Sequence, residues 1–244
     1  MKLAAAARAT GRFVLDFALP PRCPACGTIT AEVDLFCDGC WREVEFLGGG
    51  CQTCGLPLES TDAETCGACL ADPPPLGRIR SAVAYGDTAR SLVLRLKYGR
   101  KTALARTMAH YMRRPLGELR EGALLVPVPL HRRRLWGRGF NQAALIAAEL
   151  ARKNGGKCDP LLLCRKRHTP RLKGMSVSER RRTVQGAFAL RGGREVRGKA
   201  IILVDDVYTS GSTAAACARL LKRQGAASVE LITWARVVRP TAVR

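Results

Sequence analysis

Aromatic residues make up only 5% of the chain. So thin a stacking surface argues against a dedicated single-stranded nucleic-acid platform, which interleaves aromatic side chains with cations. Long apolar runs are missing as well. No stretch reaches the roughly eighteen consecutive apolar residues of a membrane-spanning helix, so membrane insertion is not expected. The opening MKLAAAARATGRFVLDFALP has no uninterrupted apolar core, because Arg8, Arg12 and Asp16 break it. It reads as a short amphipathic helix rather than a secretory signal, and places the chain in the cytoplasm. Acidic residues are scarce, 20 Asp and Glu against 41 Lys and Arg. With 47% hydrophobic and 25% charged residues, the chain nonetheless has the composition of a folded protein, not a disordered one.

The shortage of acid is uneven. Residues 1–75 carry a net charge of −5 and residues 76–244 carry +26, which suggests two modules, the second of which meets polyanions: nucleic acid or phosphorylated small molecules. Eight of the 11 cysteines fall in the first module as four CxxC pairs: Cys23/Cys26, Cys37/Cys40, Cys51/Cys54 and Cys66/Cys69. Two thiolates on one knuckle bind a metal together, and two knuckles complete a tetrahedral Zn²⁺ site that is closed to substrate and therefore structural. Two zinc ions are expected, paired in sequence order, with cross-braced pairing left open at this point. A disulfide framework belongs to an oxidising compartment, for which there is no targeting signal. Cys158, Cys164 and Cys217 stand alone beside apolar segments and read as buried thiols.

Asp72-Pro-Pro-Pro-Leu-Gly77 reads as a stiff linker and sets the expected boundary, 1–75 for the metal module and 76–244 for the second domain. Beyond it, strand and helix patterns alternate. Strands are expected at 79–85, 123–129, 160–164, 200–204 and 228–236. Helices are expected from Asp87, as the cap, to about Gly99, then at 101–113 broken by Pro115, at 140–153 closed by Gly155, and at 212–223. This is the pattern of an α/β fold with a parallel sheet.

The segment Ile201-Ile-Leu-Val-Asp-Asp-Val-Tyr-Thr-Ser-Gly-Ser-Thr213 carries the most chemistry. A buried strand is read as ending in Asp205 and Asp206, and a turn rich in hydroxyls then opens a helix. Thr209, Ser210, Ser212 and Thr213 supply hydroxyls, Gly211 allows close backbone approach, and the free N–H groups of the helix start complete a phosphate cradle. Carboxylates beside such a cradle make sense if they grip ribose hydroxyls or a Mg²⁺ ion. Gly193-x₄-Gly198-Lys199 looks like a P-loop, but Ala200 replaces its Ser/Thr and the segment precedes its strand, so it is a false match.

Val204–Thr213 resembles the phosphoribosyl pyrophosphate (PRPP) motif of type I phosphoribosyltransferases. Together with the four knuckles, Val126-Pro-Val-Pro-Leu-His-Arg-Arg-Arg134 and Arg138-Gly-Phe-Asn-Gln142, nearly the whole chain is similar to the ComF/GntX family. That resemblance implies a type I phosphoribosyltransferase-like parallel sheet with a small N-terminal zinc-ribbon module. It implies PRPP or a related phosphoribosyl ligand, bound with Mg²⁺. Asp205 and Asp206 would hold the ribose hydroxyls, residues 209–213 the 5′-phosphate, and the loop bearing His131, Arg132 and Arg133 would face the pyrophosphate. The family has been linked to DNA uptake in competence and, in another branch, to gluconate metabolism. Single-stranded DNA or a DNA-uptake helicase are therefore candidate partners, and PRPP occupancy could gate such an interaction. The segment from Arg167 to Phe188 is similar to the family's hood, with Leu172 and Thr183 standing where relatives commonly carry Gln and Asn.

The remaining charges fit this map. Arg132, Arg133, Arg134 and Arg138 are read as one loop suited to pyrophosphate, since guanidinium forks bind phosphate oxygens in pairs. The run 165–182 holds eight Lys and Arg against Glu179 alone, and reads as a closing lid, a phosphate-tracking surface or a solvated loop. His131 and His168 lie among arginines that disfavour their protonation, so neither is assigned acid–base work. Lys97-Tyr98-Gly99-Arg100 reads as solvated charge at a helix end.

Overall fold

The computed structural model describes residues 20–58, 63–170 and 174–238. The expected N-terminal helix and Leu172 lie outside these residues. The second half of the chain builds a five-stranded, wholly parallel sheet in the order β1-β7-β6-β2-β3. Its strands are β1 (Ile79–Ala84), β2 (Leu124–Pro127), β3 (Lys157–Cys158), β6 (Ala200–Tyr208) and β7 (Ser228–Arg236). The run Ile201-Ile-Leu-Val204 is fully buried at its centre, as expected of a parallel strand covered on both faces.

Helices α3 (Asp87–Tyr98), α4 (Leu104–Leu116) and α6 (Gln142–Asn154) cover one face, burying Leu92, Leu96, Met108, Met112, Ile146 and Leu150 against Ile202 and Val204. Helix α8 (Ser212–Arg223) covers the other, burying Cys217 and Leu221 against Ile201 and Leu203. On that second face a small antiparallel pair, β4 (Leu163–Arg165) and β5 (Phe188–Leu190), lies with helix α7 (Val177–Val184). The chain leaves β6 toward one face and β2 toward the other. The gap between their carboxyl ends is therefore a topological switch point, where open α/β sheets bind ligands.

Several local expectations are corrected. The strand does not end at Val204 but runs on to Tyr208, still paired with β7, so the acidic pair is embedded in the ladder. Helix α3 is capped by Gly86, and Asp87 lies in its first turn without capping it. Pro115 does not break α4: it falls in the final turn, where the one ladder bond lost with its N–H is followed by a single further helical residue before Gly117 ends the helix at φ 69°. The expected strand at 160–164 lies at 163–165. Arg132–Arg138 is not a loop but a helix, α5.

The first module wraps the β1 edge of the sheet. It includes two short helices, α1 (Asp38–Glu43) and α2 (Gly67–Ala71). Residues 45–47 run antiparallel to β1: Leu47 N donates to Ala82 O, and Ala84 N to Glu45 O, both at 2.9 Å. Cys23, Phe36, Cys40 and Val44 join the hydrophobic cluster of the α3/α4 face, and Cys51, Cys54, Cys66 and Cys69 join that of the α8 face. Phe36 stacks on Tyr111 of α4 at 5.1 Å, Asp34 pairs with Arg106 at 2.8 Å, and Arg95 Nη1 donates to Pro24 O and Ala25 O. The linker is packed too. Leu76 is buried and Asp72 pairs with Arg181 of α7.

Candidate functional site

All eleven cysteines are free thiols, and eight of them converge as two groups, Cys23/26/37/40 and Cys51/54/66/69, each with its sulfurs within 4.8 Å of one another. Pairing in sequence order is thus what the fold adopts. The spacing fits zinc. Cys54 Sγ and Cys66 Sγ are 3.7 Å apart and Cys26 Sγ and Cys37 Sγ 3.5 Å. A tetrahedron with Zn–S bonds of about 2.3 Å puts its sulfurs about 3.8 Å apart. Backbone N–H groups of Cys54 and Cys66 point at Cys51 Sγ, at 3.5 and 3.3 Å. Against the effect of burial, these donors bring Cys51 down to about 6. Bonds to the Thr28 hydroxyl and N–H bring Cys26 to about 6. Burial and the neighbouring thiols push Cys40 and Cys69 the other way. Four thiols so close ionise together only around a cation. With four sulfurs each, both groups fit structural zinc.

The second constellation lies at the switch point. Asp206 is 4% exposed. Its Oδ2 is ion-paired with Lys97 Nζ at the end of α3, and its Oδ1 accepts from Gln142 Nε2 at 3.3 Å, from the first residue of α6. Arg138 Nη1 donates to Gln142 Oε1, and its guanidinium lies 5.5 Å from the Tyr98 ring centroid. Asp205 instead lines a small crevice of about 50 Å³ with the turn 209–213 and Thr233. The two carboxyls do not carry charge equally. Burial, and then the charge of Asp206, push Asp205 well above the usual carboxylate range. Asp206 is held below that range: burial opposes its charge, but the Lys97 ammonium outweighs it. Like charges this close cannot both ionise freely, so Asp206 holds the charge and Asp205 favours its proton.

The turn after β6 is shaped by its glycine. Gly211 caps α8 in the left-handed region, at φ 69°, and a Cβ there would come within 2.7 Å of the Tyr208 ring. Ser210 and Ser212 share a hydrogen bond of 2.9 Å between their hydroxyls. Thr209, Ser210, Gly211, Ser212 and Thr213 all line the crevice beside Asp205. The N–H groups of the first turn of α8 open onto it, the arrangement that binds anions.

On the other side of the acidic pair, a groove of about 570 Å³ is lined by Lys97, Tyr98, Arg100, Arg134, Arg138 and Gln142, among others. The candidates His131, Arg132 and Arg133 lie near it without lining it. His131 caps α5, its Nδ1 accepting from Arg133 N at 3.3 Å, with its ring 5.0 Å from that of His168. Its pKa is lowered, by slight burial first and then by His168 and the surrounding arginines. Arg132 and Arg133 face solvent. Trp136 on the same helix is 92% exposed.

Two contributors to this site, Lys97 and Gln142, are not apparent in the sequence, nor is the exposure of Trp136 on the neighbouring α5. Lys97, expected as solvated charge at a helix end, has a side chain only 20% exposed that neutralises Asp206. A buried acidic pair in so basic a chain was a signal that some cation must answer it. Gln142 was quoted only as part of a motif. Trp136 had no local signal, since exposure of a lone aromatic cannot be read from spacing.

Residues 14–70 match the family of double zinc ribbon domains, and residues 141–242 the phosphoribosyl transferase domain family. With the parallel sheet and its switch-point crevice, they define a phosphoribosyltransferase-like protein carrying a double zinc ribbon. The chain is 37% identical over 202 residues to the DNA utilization protein YhgH of Salmonella typhimurium, covering 80% of this chain and 87% of that one. It is 29% identical over 223 residues to Competence protein F of Haemophilus influenzae, covering 88% and 96%. It is 28% identical over 211 residues to Competence protein ComFC of Bacillus subtilis, covering 82% and 83%. The chain belongs to the ComF family.

Proposed function

We propose that the protein binds PRPP, or a related 5-phosphoribosyl ligand, with Mg²⁺ at the switch point and transfers the phosphoribosyl group. The observation that carries this reading is the meeting of Asp205, the hydroxyl turn 209–213 and the start of α8 in one crevice. The turn and helix start take the 5′-phosphate, and the acidic pair takes the ribose hydroxyls. The groove lined by Lys97, Arg134 and Arg138 receives the pyrophosphate. In the reaction a nucleophile bonds to ribose C1 as the C1–O bond to pyrophosphate breaks, and the electron pair leaves with pyrophosphate. Cationic side chains already in place stabilise that leaving charge without reorganising. Mg²⁺, when bound, adds neutralisation of the pyrophosphate oxygens. Free thiols in both clusters suit a reducing compartment, and we place the protein in the cytoplasm.

The test is a calorimetric titration of PRPP with and without Mg²⁺, followed by pyrophosphate release over a panel of acceptors. Asp205→Asn/Asp206→Asn should abolish Mg²⁺-dependent affinity, and ribose 5-phosphate should compete in the wild type. Unchanged PRPP affinity in the double variant would falsify the reading.

A second reading is favoured by Trp136, which stands exposed one helical turn beyond the exposed Arg132 and Arg133 on α5. An aromatic face flanked by guanidinium groups can stack a base and hold its phosphates. Relatives named for DNA utilization and competence support a DNA partner, and we propose single-stranded DNA, or a helicase that handles it, for this surface.

A further inference from the structure

Arg236, the last residue of β7, is 5% exposed. Its Nη1 donates to the backbone carbonyl of Cys54, inside the second four-cysteine group. Its guanidinium carbon lies 5.3 Å from the centroid of the Tyr208 ring, and Arg236 and Tyr208 are Cα partners in the β6–β7 ladder. The same ring bears on the turn: a Cβ on Gly211 would meet its carbon and hydroxyl at 2.7 Å. Val237 N donates to Tyr208 O at 2.9 Å and pins the end of β6. Contacts therefore run unbroken from the second cysteine group through Arg236 and Tyr208 to Gly211, the residue whose left-handed conformation shapes the anion-binding turn.

The chemistry of the chain suits the arrangement. A zinc ion held by four thiolates is doubly negative, and a guanidinium beside it compensates that charge while its planar face rests on an aromatic ring. A guanidinium is also hard to bury without such partners. Its position is thus set on one side by the fold of the cysteine knuckle and on the other by the ring that props the turn.

We propose that Arg236 is a positioning residue through which the zinc-filled second cluster holds the turn 209–213 in its phosphate-accepting shape. The ligand site is then competent only while Cys51, Cys54, Cys66 and Cys69 hold their metal. The proposal rests on the reading of that turn as the phosphate site.

The test uses the full chain as wild type, Arg236→Met, Arg236→Lys and Tyr208→Leu. It measures amide hydrogen exchange at residues 210–213, ribose 5-phosphate affinity by calorimetry, and zinc content, before and after partial chelation. Arg236→Met should keep both zinc ions while exchange in the turn rises and affinity falls, each by about tenfold, as expected for coupled contacts. Arg236→Lys should recover little, because an ammonium lacks the planar face. Zinc loss from the second cluster should loosen the turn in the wild type and add almost nothing in Arg236→Met.

Wild-type exchange and affinity in Arg236→Met would overturn the proposal. So would an undiminished response of that variant to chelation. If Arg236→Met loses zinc or unfolds, Tyr208→Leu decides, since it leaves the Cys54 contact in place: a turn as protected as in the wild type sinks the idea. Failure of the wild type to bind ribose 5-phosphate, with the exchange effects intact, would remove the phosphate reading and leave the mechanical coupling standing.

Discussion

Lys97 and Asp206 are the buried pair on which the site is built, and their separation leaves a distinct signature. Removing one partner of a buried ion pair strands the other, which typically costs about 3–5 kcal/mol. Lys97→Met should therefore lower the melting temperature at neutral pH. Asp206 is held below the usual carboxylate range, so the stabilisation it contributes is present above its unfolded pKa and is lost as pH falls through the depressed folded value. The deficit of Lys97→Met against wild type should shrink over that acid window; a deficit constant with pH would show that the ion pair contributes nothing. Asp205 behaves oppositely. Its charge is disfavoured by burial and by Asp206, so Asp205→Asn should leave stability near wild type or raise it, whereas Asp206→Asn should lower it. Thermal melts of the two single variants separate these roles. At this scale the sequence was legible where chemistry is local: the knuckle cysteines, the acidic pair and the hydroxyl turn are each read within a few residues. Lys97 was not, because its counter-charge lies on a different element and only the folded sheet brings them together.

Helices and strands were legible in proportion to their length and punctuation. Asn141, whose side chain accepts from Ala143 N, and Gly155 in the left-handed region delimit α6, and 3.6-residue periodicity filled in the rest. The lower bound of β6 was visible in its apolar run, but its continuation through two carboxylates was not, since charge within a strand ordinarily marks its end. Helix α7 is concealed by the basic run around it, although Ser176 and Glu179 form a complete capping box, with Ser176 N donating to Glu179 Oε2 at 2.7 Å. Ser176→Ala should cost about 1 kcal/mol of local stability, visible as faster hydrogen exchange across α7 while β6 is unaffected. Helix α5 looks like a loop in the sequence because four arginines and a glycine in seven residues give no apolar stripe. If α5 meets DNA, Trp136→Ala should weaken binding to single strands more than to duplex. Arg132→Gln/Arg133→Gln should flatten the salt dependence for both, by about 1.8 in the logarithmic slope for duplex and about 1.4 for single strands. An unchanged slope would remove α5 from the interface.

For the whole molecule, composition and spacing indicated a metal module beside an α/β body, and both are present. What they could not show is how closely the two are joined. Residues 45–47 extend the sheet at β1 and the cysteine groups lie in the two hydrophobic clusters, a tertiary arrangement with no sequence period of its own. Elemental analysis of protein kept reduced should find two zinc ions per chain, and a reproducible value near one would eliminate one of the clusters. Separability at the linker predicts that chelation melts residues 1–75 alone. The shared cores predict instead that chelation lowers the main melting transition of the entire molecule, because structural zinc supplies folding energy to elements that cover the sheet. Two independent transitions, with the second at the temperature of the zinc-loaded protein, would contradict the packing argument.

The position of β7 has a consequence for how the chain comes into being. It is the last of the five strands in sequence, yet it lies between β1 and β6, and its Thr233 hydroxyl meets that of Ser81 across 152 positions of chain at 2.7 Å. During translation β1 can acquire its outer neighbour, residues 45–47, long before its inner one exists. The ribbons and β1 must therefore wait on the ribosome as an unfinished piece, with one strand edge bare, until β7 has emerged. A ribosome that stalls within α8 releases a product with Asp205, Asp206 and the hydroxyl turn already made, but with no strand to join them to the ribbons.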